Sequence, residues 1–139
     1  MNRQLFAAHL EWAEDRRRFP YEDTVGKISI GVGRNLDDVG LSDDEIDLML
    51  RNDIDRALAE ASRLPYWPRL DEVRQLIVAD MIFNMGAKRF AGFVRTNAAL
   101  AAGDYQAAAD EMIDSKWYRQ TGRRARKLVD AMRSGAWQK

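Results

Sequence analysis

Apolar positions recur with two different periods along this chain, and the change of period divides it. Leu5, Phe6, Leu10 and Ala13 fall at helical spacing, which predicts an amphipathic helix over residues 3–14. The arginines Arg16–Arg18 and Pro20 end it, because proline has no N–H to continue a helix. Beyond them Ile28, Ile30 and Val32 alternate with Ser29, Gly31 and Gly33, a period of two with β-branched residues that reads as strand. Asp23-Thr24-Val25-Gly26 supplies a turn, and Gly31 and Gly33 mark tight bends or close approach of backbone. Residues 17–36 are therefore expected to form a hairpin or small three-stranded sheet, too small to stand without helices against it.

From Ser42 onward the pattern is helical. Ser42-Asp43-Asp44-Glu45 is a capping box with acids in the first turn, where they meet the positive end of the helix dipole. Ile46, Met49, Leu50, Ile54, Ala57, Leu58 and Ala61 then form an apolar stripe, so a helix over 43–62 is expected, stopped by Pro65 and Pro68. Residues 71–85 are more apolar (Val73, Leu76, Ile77, Ala79, Met81, Ile82, Phe83) and predict a core helix. Gly86, Gly92, Gly103 and Gly122 punctuate shorter helices near 94–102, 105–114 and 123–134. The order implies an α+β protein of a single domain, 1–139. A small N-terminal sheet lobe (15–42) is joined by the 43–62 helix to a larger helical lobe (1–14 and 63–139), with a ligand-binding cleft expected between the lobes.

Composition narrows the chemistry. There is no cysteine, hence no disulfide, thiolate zinc site or cysteine nucleophile. The single histidine, His9, disfavours a histidine metal cluster or a Ser-His-Asp triad and reads as a helix-surface residue. Neither a metal nor a cofactor is expected. The N-terminus reads as neither a signal peptide nor a membrane anchor. Lys plus Arg equal Asp plus Glu at 22 each, which argues against a nucleic-acid partner. The zero sum hides a dipole, however. Residues 37–60 carry nine acids and two bases, and residues 115–139 carry eight bases and one acid. What remains for catalysis is carboxylates, hydroxyls and arginines.

Glu14 closes the first predicted helix, Asp23 follows in the first turn, and Ser29 lies in the strand beyond. Two carboxylates facing a glycosidic bond can cleave it, one as a protonated general acid and the other activating water or stabilising an oxocarbenium-like transition state. A nearby hydroxyl can hold the attacking water. With 22 acids in 139 residues, spacing alone does not single this pair out. Asp23 reads equally as a turn former.

The wider sequence does single it out. The run Glu14, Asp23-Thr24-x-Gly26, Ser29-Ile30-Gly31-Val32-Gly33-Arg34-Asn35-Leu36 resembles the catalytic segment of the phage-type lysozymes, the endolysin muramidases of glycoside hydrolase family 24. Phe83-Asn84-Met85-Gly86 with Ala91-Gly92-Phe93 is similar to that family's central helix and the turn after it. Trp117-Tyr118-x-Gln120-Thr121, Arg124-Ala125 and Gly135-x-Trp137 are similar to its C-terminal stretch. The resemblance implies Glu14 as general acid, Asp23 as base or electrostatic partner, and Ser29 in place of the family's water-positioning threonine. Most relatives for which that role is described invert the anomeric centre.

The resemblance also implies Phe83, Asn84, Glu111 and Arg124 as substrate-binding. Glu111 stands where relatives often place an amide, and Asn84 replaces a longer amide. Arg34 stands where many relatives carry histidine, and an Arg34–Asp53 ion pair is implied, along with a Glu14–Arg124 pair. Trp117, Tyr118 and Trp137 are expected to pack rather than stack on sugars. Gly31 and Gly33 are expected to permit the bend and a close approach to sugar.

The function so implied is an endolysin that hydrolyses the β-1,4 bond between N-acetylmuramic acid and N-acetylglucosamine in peptidoglycan. The expected protein is a monomer that stays in the host cytoplasm until a holin releases it to the wall. Two rivals remain open: a lytic transglycosylase, and a catalytically weakened lysozyme-fold module that binds peptidoglycan within a virion. Arg123, Arg126, Lys127 and Arg133 form a basic helix face, read either as ordinary solvated surface or as a grip on anionic wall polymer, which salt would screen.

Overall fold

A computed structural model describes residues 1–137. The protein is mixed α+β: among the described residues eight α-helices accompany one three-stranded antiparallel sheet. The chain folds as two compact units, Met1–Met49 and Leu50–Lys139.

The first unit begins with α1, Arg3–Glu14. Asn2 caps it, its side-chain oxygen accepting the Leu5 N–H at 3.0 Å. None of the residues of α1 is buried. The sheet follows as β1 (Arg17–Glu22), β2 (Ile28–Gly31) and β3 (Arg34–Asn35), in that spatial order. Pro20 is accommodated because β1 is an edge strand whose register is irregular between Arg17 and Tyr21. Ser29 lies in the middle strand, opposite Tyr21 on one side and Asn35 on the other, and is only 4% exposed.

The capping box at Ser42 forms as expected and opens α2, Asp43–Ala61. The Ser42 N–H and hydroxyl both donate to Glu45 Oε1, at 2.9 and 2.7 Å, and the Glu45 N–H donates back to Ser42 Oγ at 3.4 Å. Arg34 joins this box. Its guanidinium donates to Gly40 O at 3.0 Å and reaches the Glu45 carboxylate at 2.8 Å. Within the first unit, then, the partner of Arg34 is Glu45, while Asp53 bonds Arg56 one turn further along the helix. Eight residues of α2 separate Glu45 from Asp53, roughly 12 Å of helix, and the box turns the Glu45 carboxylate back towards β3.

Arg34 and the two Ser42 donors hold the Glu45 carboxyl at about 2, below its ordinary 4.5. A depressed carboxyl stabilises the fold above its ordinary value and loses that contribution as pH falls through the folded value. Glu45→Gln, which keeps an acceptor but no charge, is expected to melt about 1–4 °C below wild type at neutral pH, as for an exposed pair. The gap should close from pH 5 downward and be largely gone by pH 2, as read by thermal unfolding across pH.

The second unit holds the rest of α2, a 3-10 turn at Trp67–Arg69, and six further helices. These are α3 (Glu72–Met85), α4 (Ala87–Ala91), α5 (Val94–Ala102), α6 (Tyr105–Ile113), α7 (Lys116–Thr121) and α8 (Arg123–Ser134). Helix α3 supplies the core its composition predicts: Ile77, Val78, Met81, Ile82 and Met85 are buried, with Phe90, Leu100, Met112, Leu128 and Met132 among the side chains around them. Each large side chain so buried contributes about 1.5–3 kcal/mol. Trp117 is buried here, a packing residue as expected.

Arg74 ties α3 to the end of α8, donating from Nε and Nη2 to Met132 O at 3.0 and 2.7 Å while lying 4.1 Å over the Tyr105 ring. It thus satisfies a carbonyl that the last turn of α8 leaves without an intrahelical partner. Burial pushes the Tyr66 hydroxyl up to about 12, and it is bonded to Asn97 Oδ1.

Candidate active site

Within the first unit, the end of α1 and the β2–β3 reversal meet at Glu14. Ile30 pairs with Arg34, so the chain turns back over Gly31-Val32-Gly33. Gly33 is at φ +68°, and a Cβ built on it would stand 2.9 Å from Glu14 Oε2 and 3.0 Å from both Cδ and Cγ. The Glu14 carboxyl group thus lies against the backbone of this turn. It is exposed and, among the described residues of the first unit, in no ion pair.

The residue after it, Asp15, is at φ 65° and ψ 171°. That region is essentially glycine's, and a side chain held there stores about 1–3 kcal/mol. Such strain next to a candidate acid leaves no trace in residue type or spacing.

Asp23 forms the turn that joins β1 to β2. Its Oδ1 accepts the N–H groups of Val25 at 3.0 Å and Lys27 at 2.8 Å. Its own N–H donates to Lys27 O at 2.8 Å. The turn-forming reading of Asp23 therefore holds. Oδ1 is used twice by the backbone, and a catalytic duty would fall to Oδ2.

In the second unit, Phe83 and Arg124 line one largely apolar groove of about 600 Å³, with Leu50, Ile54, Leu76 and Asp80 among its other walls. Within this unit Arg124 bonds Asp80, from Nε at 3.0 Å and Nη2 at 2.9 Å, across the packed helices α3 and α8. Asp80 lies on α3, whose apolar pattern predicts a core helix and gives no sign of the partner it offers Arg124.

Asn84 follows Phe83 and is likewise exposed; its Oδ1 accepts the Trp117 Nε1–H at 3.0 Å, which fixes the amide and, among the described residues, leaves its N–H groups open. Glu111 lies apart, in a groove of mixed character of about 300 Å³ with Phe93, Val94, Arg95, Asp114 and Ser115. Arg123, Arg126 and Lys127 line a third groove, of about 610 Å³, along the outer face of α8 with Asp130 and Ser134. Lys127 also rests 4.4 Å over the Trp137 ring. Among the described residues, no group of three or more His, Cys, Asp or Glu side chains is placed to hold a metal ion, and no helix is long and apolar enough to cross a membrane.

A family model for phage lysozyme matches residues 12–134, which takes in α1 from Trp12, the whole sheet and the helices through α8. The chain belongs to the phage lysozyme family. Over 84 residues it is also 32% identical to the pre-baseplate central spike protein Gp5 of Enterobacteria phage T4. That stretch is 60% of this chain and 15% of the spike protein, so the chain spans only a small part of that relative's length. The resemblance read from the Glu14–Leu36 segment is therefore correct at the level of family. The α+β fold agrees with a lysozyme-like fold.

Proposed function

We propose that residues 1–139 act as one lysozyme-like domain that hydrolyses the β-1,4 bond between N-acetylmuramic acid and N-acetylglucosamine, serving host cell lysis as an endolysin. The observation that carries this reading is that the family match takes in Glu14, the Asp23 turn and the Ser29 strand, all within one compact unit. Glu14 donates its proton to the glycosidic oxygen as the bond to the anomeric carbon breaks. Water held by Ser29 and Asp23 adds to that carbon and gives its proton to Asp23, with inversion expected. Glu14 is exposed in the free protein, so the exclusion of water that aids a general acid comes from the bound sugar.

Phe83, Asn84, Glu111 and Arg124 serve substrate binding. The Arg123, Arg126 and Lys127 groove holds anionic groups of the wall, since one acid among three bases leaves it a net cationic surface. No metal or cofactor takes part. The protein acts as a monomer, waiting in the host cytoplasm for a holin to release it.

A second reading has one observation in its favour. The relative that shares 84 residues is a central spike protein, which fits a peptidoglycan-binding module of a virion with weakened catalysis. Digestion of purified Gram-negative peptidoglycan separates these readings. Hydrolysis is expected to release muropeptides that have gained one water and carry a reducible end. Products ending in a 1,6-anhydro sugar would instead establish a lytic transglycosylase. Retention on the wall without release of products would establish the binding module.

A further inference from the structure

We propose that Gly33 is a positioning residue for Glu14, its missing side chain leaving the space that the Glu14 carboxyl group fills. The inference rests on Glu14 being the general acid. Gly31 and Gly33 sit in the same chain reversal with nearly the same φ, +70° and +68°. At both, any L side chain meets the steric penalty of left-handed backbone.

They differ in what a methyl group would touch. A Cβ on Gly31 meets nothing within 4 Å, whereas one on Gly33 falls 2.9–3.0 Å from three bonded atoms of Glu14. Those three atoms, Cγ, Cδ and Oε2, are the reacting end of the side chain. A carbon at 3.0 Å from all of them is inside the repulsive wall, so Glu14 must leave its rotamer or the turn must shift. Gly31 is thus demanded by backbone alone, and Gly33 by backbone and by the acid. A misplacement of about 1 Å in a reacting group can cost as much as 10²-fold in rate.

The two glycines therefore control for each other. Gly31→Ala and Gly33→Ala, made in the full chain, are expected to share a loss of Tm from backbone strain. On soluble peptidoglycan glycan strands, kcat should fall about 10- to 100-fold for Gly33→Ala, with KM within about twofold of wild type. Gly31→Ala, which bears the backbone strain without the contact with Glu14, should lose distinctly less kcat than Gly33→Ala does. The ¹³C signal of the Glu14 carboxyl should move in Gly33→Ala and stay in Gly31→Ala, a readout that needs no activity.

If Gly33→Ala alone does not fold, a Glu14→Ala background removes the atoms it meets. There Gly33→Ala should cost no more Tm than Gly31→Ala does. Equal kcat and equal carboxyl signals for the two glycine variants, or a Gly33→Ala that fails to fold both with and without Glu14, overturns the positioning role. Full activity of Glu14→Gln alongside a moved carboxyl signal overturns the acid assignment while leaving the contact intact.

Discussion

Glu14→Gln is expected to lower kcat about 10³-fold or more and to abolish the clearing of outer-membrane-permeabilised Gram-negative cells. The amide has the shape of the carboxyl group, so it fits against the Gly33 turn as Glu14 does. What it lacks is a transferable proton. General acid catalysis contributes roughly 10²–10⁴-fold, and with a poor sugar leaving group the upper half of that range applies.

Little else should change. Glu14 is exposed and in no ion pair among the described residues of the first unit, so neutralising it should move stability by no more than about 0.5 kcal/mol. KM should stay near wild type, because the lost interaction develops only as the bond breaks. The three readings, kcat, KM and Tm, are taken on one preparation. Full activity in Glu14→Gln would sink the mechanism, and lost activity accompanied by a large fall in Tm would assign Glu14 to structure instead.

The parts of the fold that could be read from sequence are those whose causes are local. Helix α1, the turn at Asp23, the capping box at Ser42 and the apolar core of α3 each follow from neighbours within one or two turns, and each stands where the periodicity put it. Helices α4 and α7 were missed because five and six residues are too few to display a period, and Gly86 both ends α3 and begins α4.

Charge pairing was legible only as a supply of partners. Arg34 took Glu45, which the capping box had already turned towards it, and Arg124 took Asp80, a polar residue on a helix read as core. The candidate acid itself could be named from the Glu14–Leu36 motif. Its seat against Gly33 could not be, because that contact joins residues nineteen apart and depends on a positive φ. The strain at Asp15 is hidden for the same reason, since residue type gives no sign of it.

Asp23→Asn is expected to lower kcat roughly 10²–10³-fold while leaving the β1–β2 turn intact, the range for losing a general base. The structure makes this substitution unusually informative, because Asp23 has a demonstrable structural task. Its Oδ1 accepts two backbone N–H groups, from Val25 and Lys27, and the amide oxygen of asparagine can accept the same two. Tm should therefore change by no more than a degree or two, as for a partly exposed site whose hydrogen bonds persist.

Asp23→Ala removes the acceptor altogether. It should cost about 1–2 kcal/mol and lower Tm by several degrees, while lowering kcat at least as far as the asparagine variant. The contrast between the two separates a carboxylate needed for its charge from one needed for its shape. If Asp23→Asn keeps wild-type kcat while Asp23→Ala loses both stability and rate, then Asp23 only builds the turn. Glu14 would then act with no second carboxylate from this turn, which is the arrangement a lytic transglycosylase needs and a hydrolysing pair of acids does not have.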